Sequence, residues 1–323
     1  YDYGTGYEQF ATGAPKGTGG SGSYSWTIPD SVSNSVKVKV STVTNGEKEF
    51  DESDTFKIKG SFAFDDPGPA NGEVLTAGAG YTVKWTKNGT NIPQVKLEFS
   101  TDGISYTQIG GGLINNTGEY NWNAPTDTNS TTCKLRISDP NNEEATRAVS
   151  ATFEVRAVID VTAPTTGAKW TIGTASNNIV WNTTGLVANV RITYSKDGGA
   201  DLYAYEIIAS TPNTGTYSWT IPSDQDILST SGAKIKVADA GYSVVYDATP
   251  NFMLKSGITV TNPTTLTIGR ITDSFSISWT TIGTANMGNV NIYFSKTGGP
   301  AWGTAIATVL YTATPHTGFS LPI

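Results

Sequence analysis

Tyr217-Ser218-Trp219-Thr220-Ile221-Pro222 decides the fold, because the chain writes this stretch three times. It stands earlier as Tyr24-Ser25-Trp26-Thr27-Ile28-Pro29 and as Tyr120-Asn121-Trp122-Asn123-Ala124-Pro125, with the tryptophans 96 and 97 residues apart. Working outward, Trp85, Trp181 and Trp279 form a second series spaced 96 and 98. Phe56, Phe153 and Phe252 form a third, spaced 97 and 99. Three series sharing one period mark a repeated unit of about 97 residues.

Inside each unit apolar residues alternate with polar ones. Tyr81, Val83 and Trp85 share one face of a strand, as do Phe275, Ile277 and Trp279. Val95-Leu97-Phe99, Val190-Ile192-Tyr194 and Val290-Ile292-Phe294 follow the same rule, then Val36-Val38-Val40, Cys133-Leu135-Ile137 and Ala233-Ile235-Val237. A period of two predicts strands with one face on a core and the other in water. With an opening strand at Ile159-Val161 or Ile258-Val260 and a closing one at Phe153-Val155 or Phe252-Leu254, each unit holds about seven short strands. The expected fold is all-β, a tandem row of seven-stranded sandwiches of the immunoglobulin or fibronectin-III kind.

The period places the boundaries. Residues 1–60 read as the C-terminal part of one repeat, 61–156 and 157–255 as complete repeats, and 256–323 as the N-terminal part of another. The linkers are a few residues long, which predicts a semi-rigid rod. The chain opens at Tyr1 with no signal-peptide pattern, and reads as a mature or internal fragment. The two end segments are expected to find their missing strands either in more of the same polypeptide or in a neighbouring copy.

Charge and composition narrow the partners. The net charge is −7 and no Lys/Arg run occurs, so nucleic acid is not an expected partner. No stretch of about 18 apolar residues occurs, so no membrane insertion is expected in this segment. One cysteine allows no internal disulfide.

The residues that could carry chemistry have plainer readings. Cys133 stands where the neighbouring repeats have Val36 and Ala233, and reads as a core residue beside Trp26, Trp85, Trp122, Trp181, Trp219, Trp279, Phe56, Phe153 and Phe252. His316, the one histidine, occupies the turn position of Asn116 and Asn213. Ser100-Thr101-Asp102-Gly103 and Ser195-Lys196-Asp197-Gly198 resemble Asp-boxes. The repeat is twice a propeller blade, however, and Asp-Gly suits a hairpin turn. The acidic groups at Asp51-Glu52-Asp54, Asp65-Asp66 and Asp139 to Glu144 read as solvated loops; calcium at domain junctions is the sharper alternative. Trp170 aligns with Leu75 and Leu266, and Trp302 with Tyr106 and Tyr203, all as framework positions. Asn88, Asn115, Asn129 and Asn182 head Asn-x-Ser/Thr sequons, about as many as 22 asparagines give by chance. No catalytic residue or cofactor site is expected, and the chain reads as a non-enzyme.

The repeat resembles bacterial cell-surface Ig-like repeats grouped with the Ser/Thr-rich Kre9/Knh1-type cell-wall domain. The third repeat carries most of the pattern: Ile159-Asp160-Val161-Thr162-Ala163-Pro164, Trp170-Thr171-Ile172-Gly173, Ile179-Val180-Trp181, Val190 through Gly199, and Asn213-Thr214-Gly215-Thr216-Tyr217-Ser218-Trp219. The fourth departs from it at Gly318-Phe319-Ser320-Leu321-Pro322, which lacks the tryptophan. The resemblance implies a module of large secreted adhesins, surface-layer proteins and enzyme-flanking spacers.

The expected function is therefore a structural region of a large extracellular or cell-surface protein: surface layer, stalk or filament. Its partners would be further repeats or other copies of the same protein. An adhesin recognising glycan or protein is the alternative, and a spacer in a secreted hydrolase the second.

Overall fold

The computed structural model describes residues 6–15, 17–30, 32–44, 49–65, 72–175, 177–223, 229–265, 267–268, 276–282, 289–295, 297–298, 302–310 and 319–320. Every regular element among them is a strand, and among the described residues there is no helix long and apolar enough to cross a membrane. The chain divides into two compact units, residues 1–157 and 158–323.

The first unit opens with four short strands, β1 (Ser33–Val36), β2 (Lys39–Ser41), β3 (Phe50–Glu52) and β4 (Phe56–Ile58). β1 pairs with β4 and β2 with β3, both antiparallel. A full sandwich follows: β5 (Ser61–Phe64), β6 (Val74–Thr76), β7 (Gly80–Asn88), β8 (Gln94–Ser100), β9 (Thr107–Gln108), β10 (Ile114–Asn115), β11 (Glu119–Asn123), β12 (Ser130–Ser138), β13 (Arg147–Val149) and β14 (Phe153–Arg156). One sheet has the order β11-β7-β5; the other runs β10-β8-β12-β14-β6, with β9 and β13 paired alongside.

The second unit repeats this plan with β15 (Val158–Ala163), β16 (Lys169–Thr171), β17 (Asn177–Thr184), β18 (Asn189–Ser195), β19 (Tyr205–Pro212), β20 (Thr216–Trp219), β21 (Ser229–Asp239), β22 (Tyr246–Ala248) and β23 (Phe252–Lys255). Its sheets are β15-β17-β20 and β16-β23-β21-β18-β19, with β22 on β21. Then come β24 (Gly257–Asn262), β25 (Ser276–Ile282), β26 (Asn289–Ile292), β27 (Ala307–Leu310) and β28 (Phe319–Ser320). These pair as β24-β25-β28 and β26-β27.

The opening edge is shared between sheets in both sandwiches. β5 pairs antiparallel with β7, whereas β6, a few residues on, pairs parallel with β14 in the opposite sheet. β15 and β16 divide in the same way between β17 and β23. Pro164 directly follows β15 and has no N–H to continue a ladder, which releases the chain to cross over. Leu75 and Trp170 stand at equivalent points of the parallel ladders, opposite Val155 and Leu254.

The alternation predicted from sequence fills the space between the sheets. Cys133, Leu135 and Ile137 on β12 are wholly buried and lie beside Phe99 and Leu97 of β8. Across the core, the Trp122 ring meets Phe99 at 5.1 Å, and Phe99 meets Phe153 at 6.3 Å. In the second unit Trp219 meets Tyr194 at 5.2 Å, and Trp170 adds edge contacts to Trp219 at 6.3 Å and Phe252 at 5.1 Å.

Three expected inward positions differ. Val40 is 71 % exposed, Phe294 is 62 % exposed and Trp302 is 61 % exposed. Among the described residues β2 pairs only with β3, so no strand flanks Val40 as β8 flanks its counterpart Ile137. Periodicity selects the face of a strand; a second layer must then cover it.

Candidate functional site

The Asn-Thr-Gly turn, read from sequence as a turn alone, is a wiring point of the core. Asn116 Oδ1 accepts the Trp85 indole N–H at 2.9 Å, and its amide donates to the Ile92 carbonyl at 2.8 Å. Asn213 does the same with Trp181 at 2.7 Å and the Val187 carbonyl at 3.0 Å. The glycine two residues on accepts the backbone N–H of the same tryptophan: Gly118 from Trp85 at 2.9 Å, Gly215 from Trp181 at 3.0 Å. Both glycines have positive φ, 95° and 82°, and a Cβ there would press on the tryptophan carbonyl at 3.4 and 3.2 Å. His316, the counterpart in the next repeat, lies outside the described residues.

The other core candidates lie as follows. Trp85, Trp122, Trp181, Trp219, Trp279, Phe153, Phe252 and Cys133 are buried. Trp26 and Phe56 are half-buried, edge to face at 6.4 Å, with Phe10 stacked on Trp26 at 5.1 Å. Burial pushes the Cys133 thiol pKa up. Of the sequon asparagines, Asn88, Asn115 and Asn182 are exposed; Asn129 is half-buried and its Oδ1 holds the Ala157 N–H at 3.1 Å.

The Ser-x-Asp-Gly hairpins are organised by their carboxylates. Asp102 Oδ1 accepts the N–H groups of Ile104 and Ser105, each at 2.8 Å, and the Ser100 hydroxyl at 2.8 Å. Those two backbone bonds, with the Ser100 hydroxyl after them, bring the Asp102 carboxyl down to about 2. Asp197 is lowered too, first by the Asp201 N–H at 2.9 Å. These acids face their own turns. Among the described residues no three His, Cys, Asp or Glu side chains converge to hold a metal ion.

The feature that sequence reasoning missed is one equivalent position on β2, β12 and β21. Lys39, Arg136 and Lys236 occupy one repeat position, next to the apolar Val38, Leu135 and Ile235. Each stands over the ring of an equally equivalent tyrosine: Lys39 over Tyr7 at 5.4 Å, Arg136 over Tyr106 at 4.1 Å, Lys236 over Tyr203 at 5.8 Å. Lys39 and Lys236 each cover a second ring, Phe50 and Tyr246, at 3.9 Å. Phe50 and Tyr246 are themselves equivalent, since Phe50 pairs with Ser41 and Tyr246 with Ala238. Tyr7, Phe50 and Tyr246 are all exposed.

Ion pairs surround the Arg136 member. Glu98, only 3 % exposed, takes Arg136 Nε at 2.7 Å and Lys96 at 3.3 Å, and Lys96 also reaches Glu143 at 3.1 Å. Burial raises the Glu98 carboxyl pKa, but the bonds from Arg136 and then Lys96 outweigh it, and the net shift is downward. On the first segment Tyr7 donates to Glu52, which is the leading cause of its lowered pKa, and Lys37 pairs with Glu52 at 3.3 Å. In the second unit Arg191 pairs with Glu206 at 2.9 Å. Each of these places therefore presents a cation beside flat rings, a combination that can stack on sugar rings or receive acidic groups.

Comparison with known families matches residues 68–155 to the Kre9/KNH-like N-terminal Ig-like domain. The match spans 88 of the 323 residues. It covers most of the β6–β14 sandwich, the one that holds Trp85, Cys133 and the Arg136–Tyr106 stack. Such domains are typical of cell-wall and surface proteins. No curated protein matches the chain.

Similar solved structures include fibronectin(III)-like modules of Clostridium thermocellum CbhA, at 15 % identity over 60 % of this chain and 94 % of that one, TM-score 0.22. A chimeric titin Z1Z2 shares 15 % identity over 60 % of this chain and 96 % of its own, TM-score 0.21. The N-terminal four Ig domains of a Dscam1 isoform share 11 % over 75 % and 65 %, TM-score 0.20.

Proposed function

We propose that the chain is a non-catalytic structural region of a larger extracellular or cell-surface protein, of the surface-layer, stalk or filament kind, built from tandem Ig-like repeats. The observation that carries this reading is the Trp–Asn–Gly wiring, installed in the same form at Trp85 and at Trp181. What the chain repeats is an interior frame, and a frame repeated at a fixed period serves extension and spacing. Its partners in this reading are further repeats of the same protein and other copies of it.

Single-molecule stretching tests the reading. Residues 61–255 held in tandem should give unfolding steps of about 340 Å, from about 97 residues at roughly 3.5 Å each. Labelling of source cells with an antibody against the same residues should mark the outer surface. Steps of other lengths, or label confined to the cell interior, would overturn it.

A second reading, a binding module for glycan or protein, is favoured by the exposed rings of Tyr7, Phe50 and Tyr246 beside Lys39 and Lys236. Retention on immobilised acidic glycans that falls tenfold or more in Lys236→Ala and Tyr246→Ala would support it. Equal retention of both variants would reject it.

A further inference from the structure

Lys59 and Asn142 are 83 residues apart in sequence, and the Lys59 Nζ contacts the Asn142 side-chain amide at Oδ1. Neither partner is free to drift. Lys59 sits between β4 and β5, where Gly60 passes close to Ile92 and to the Asn88 carbonyl. Asn142 lies in the β12–β13 loop with its backbone held on both sides. Its N–H donates to the Asp139 carbonyl at 2.9 Å, and its own carbonyl accepts Ala145 at 3.1 Å and Thr146 at 2.9 Å.

A third group completes the cluster. Asp139 is 2 % exposed, and its Oδ2 accepts the Asn142 amide N–H at 3.2 Å while Oδ1 is occupied by the Asn141 N–H at 2.9 Å. The carboxylate therefore touches the nitrogen that would have to leave. On the other side, the Lys59 stem lines a cleft of about 320 Å³ with Ile28, Pro29, Val32 and Ile58. Burial, and after it the Lys57 charge, lower the Lys59 pKa against the opposing pull of Asp139, which favours the nucleophilic amine form. Asn34 Oδ1 accepts from the same Nζ at 2.9 Å and helps hold it in place.

We propose that Lys59 and Asn142 form an intramolecular isopeptide bond, with Asp139 as the proton carrier. The Lys59 amine adds to Asn142 Cγ, and a C–N bond forms. The amine proton passes through the Asp139 carboxyl to Nδ2, the Cγ–Nδ2 bond breaks and ammonia departs. An amine and a primary amide become a secondary amide and ammonia, so the step balances with no oxidant, metal or cofactor. Fixing nucleophile, carbonyl and carboxyl in one rigid cluster supplies the proximity that such a slow acyl transfer needs. The bond would tie the segment after β4 to the β12–β13 loop. The equivalent of Lys59 in the next repeat is Arg156, which is engaged with Glu154 at 2.7 Å, and the equivalent of Asn142 is Tyr242. An arginine and a tyrosine at those two places cannot form this bond.

Mass spectrometry of the folded 323-residue chain is the test. The intact mass should be lower than the sequence mass by one ammonia. Proteolysis should yield a branched peptide joining Lys59 to Asn142. Lys59→Arg and Asn142→Ala should both restore the full mass, and Asp139→Asn should leave the bond unformed. Full mass in the unaltered chain, with Lys59 and Asn142 in separate peptides, would overturn the proposal. So would an ammonia loss that persists in Lys59→Arg, because that loss would belong to a succinimide at an Asn-Gly pair such as Asn88-Gly89.

Discussion

Asn213 holds Trp181 by its side chain: the indole N–H donates to Asn213 Oδ1 at 2.7 Å, and the Asn213 amide is itself anchored on the Val187 carbonyl at 3.0 Å. The tryptophan is buried, so its N–H has little access to water and depends on this one side chain. Asn116 serves Trp85 in the same way. The turn that looked like a connector therefore sets the position of a buried indole in each core.

Asn213→Ala should cost about 1–3 kcal/mol, the range for stranding a buried donor. Chemical denaturation followed by Trp fluorescence would measure it. A loss below about 0.5 kcal/mol would mean that the indole finds another acceptor.

Trp219→Ala should cost roughly 3–5 kcal/mol, because the ring is packed against Tyr194 and Trp170 and would leave a cavity. That is a large share of the about 5–15 kcal/mol of a domain. In calorimetry the transition of the 158–323 unit should fall while that of the 1–157 unit stays. A common shift of both would contradict a modular array.

Cys133→Val should fold like the parent, within about 1.5 kcal/mol, since the site is fully buried and the neighbouring repeats place Val36 and Ala233 there. In the folded parent, a thiol reagent should react with Cys133 only as fast as the domain opens. Rapid labelling would give the thiol a surface role.

The Asp102 turn predicts an acid dependence of defined sign. Its folded pKa, about 2, lies below the roughly 3.9 of an unfolded aspartate. The ionised carboxylate therefore contributes stability that is full above about pH 4 and is lost as pH falls through about 2. Asp102→Asn should be less stable than the parent near neutrality, and the difference should shrink across that window. A carboxyl resonance of Asp102 titrating near 4 would refute the turn geometry.

Local pattern carried much of the fold into the sequence. Strand alternation and the 97-residue period depend only on which residues neighbour each other along the chain. Cys133, Leu135 and Ile137, or Ala233, Ile235 and Val237, therefore read as one buried face without coordinates. The same pattern could not say whether a face is covered. Val40 and Phe294 alternate as well as their buried counterparts and are exposed, because coverage comes from another strand.

Contacts across the sheet were settled only in three dimensions. Arg136 meets Tyr106 because strand pairing sets β12 beside β8 and its hairpin, and a register shift of one residue would turn the guanidinium to the other face. Lys59 and Asn142 are joined by nothing in the local sequence. An 83-residue excursion through β5 to β12 returns the one to the other, so their meeting is a property of the tertiary fold alone.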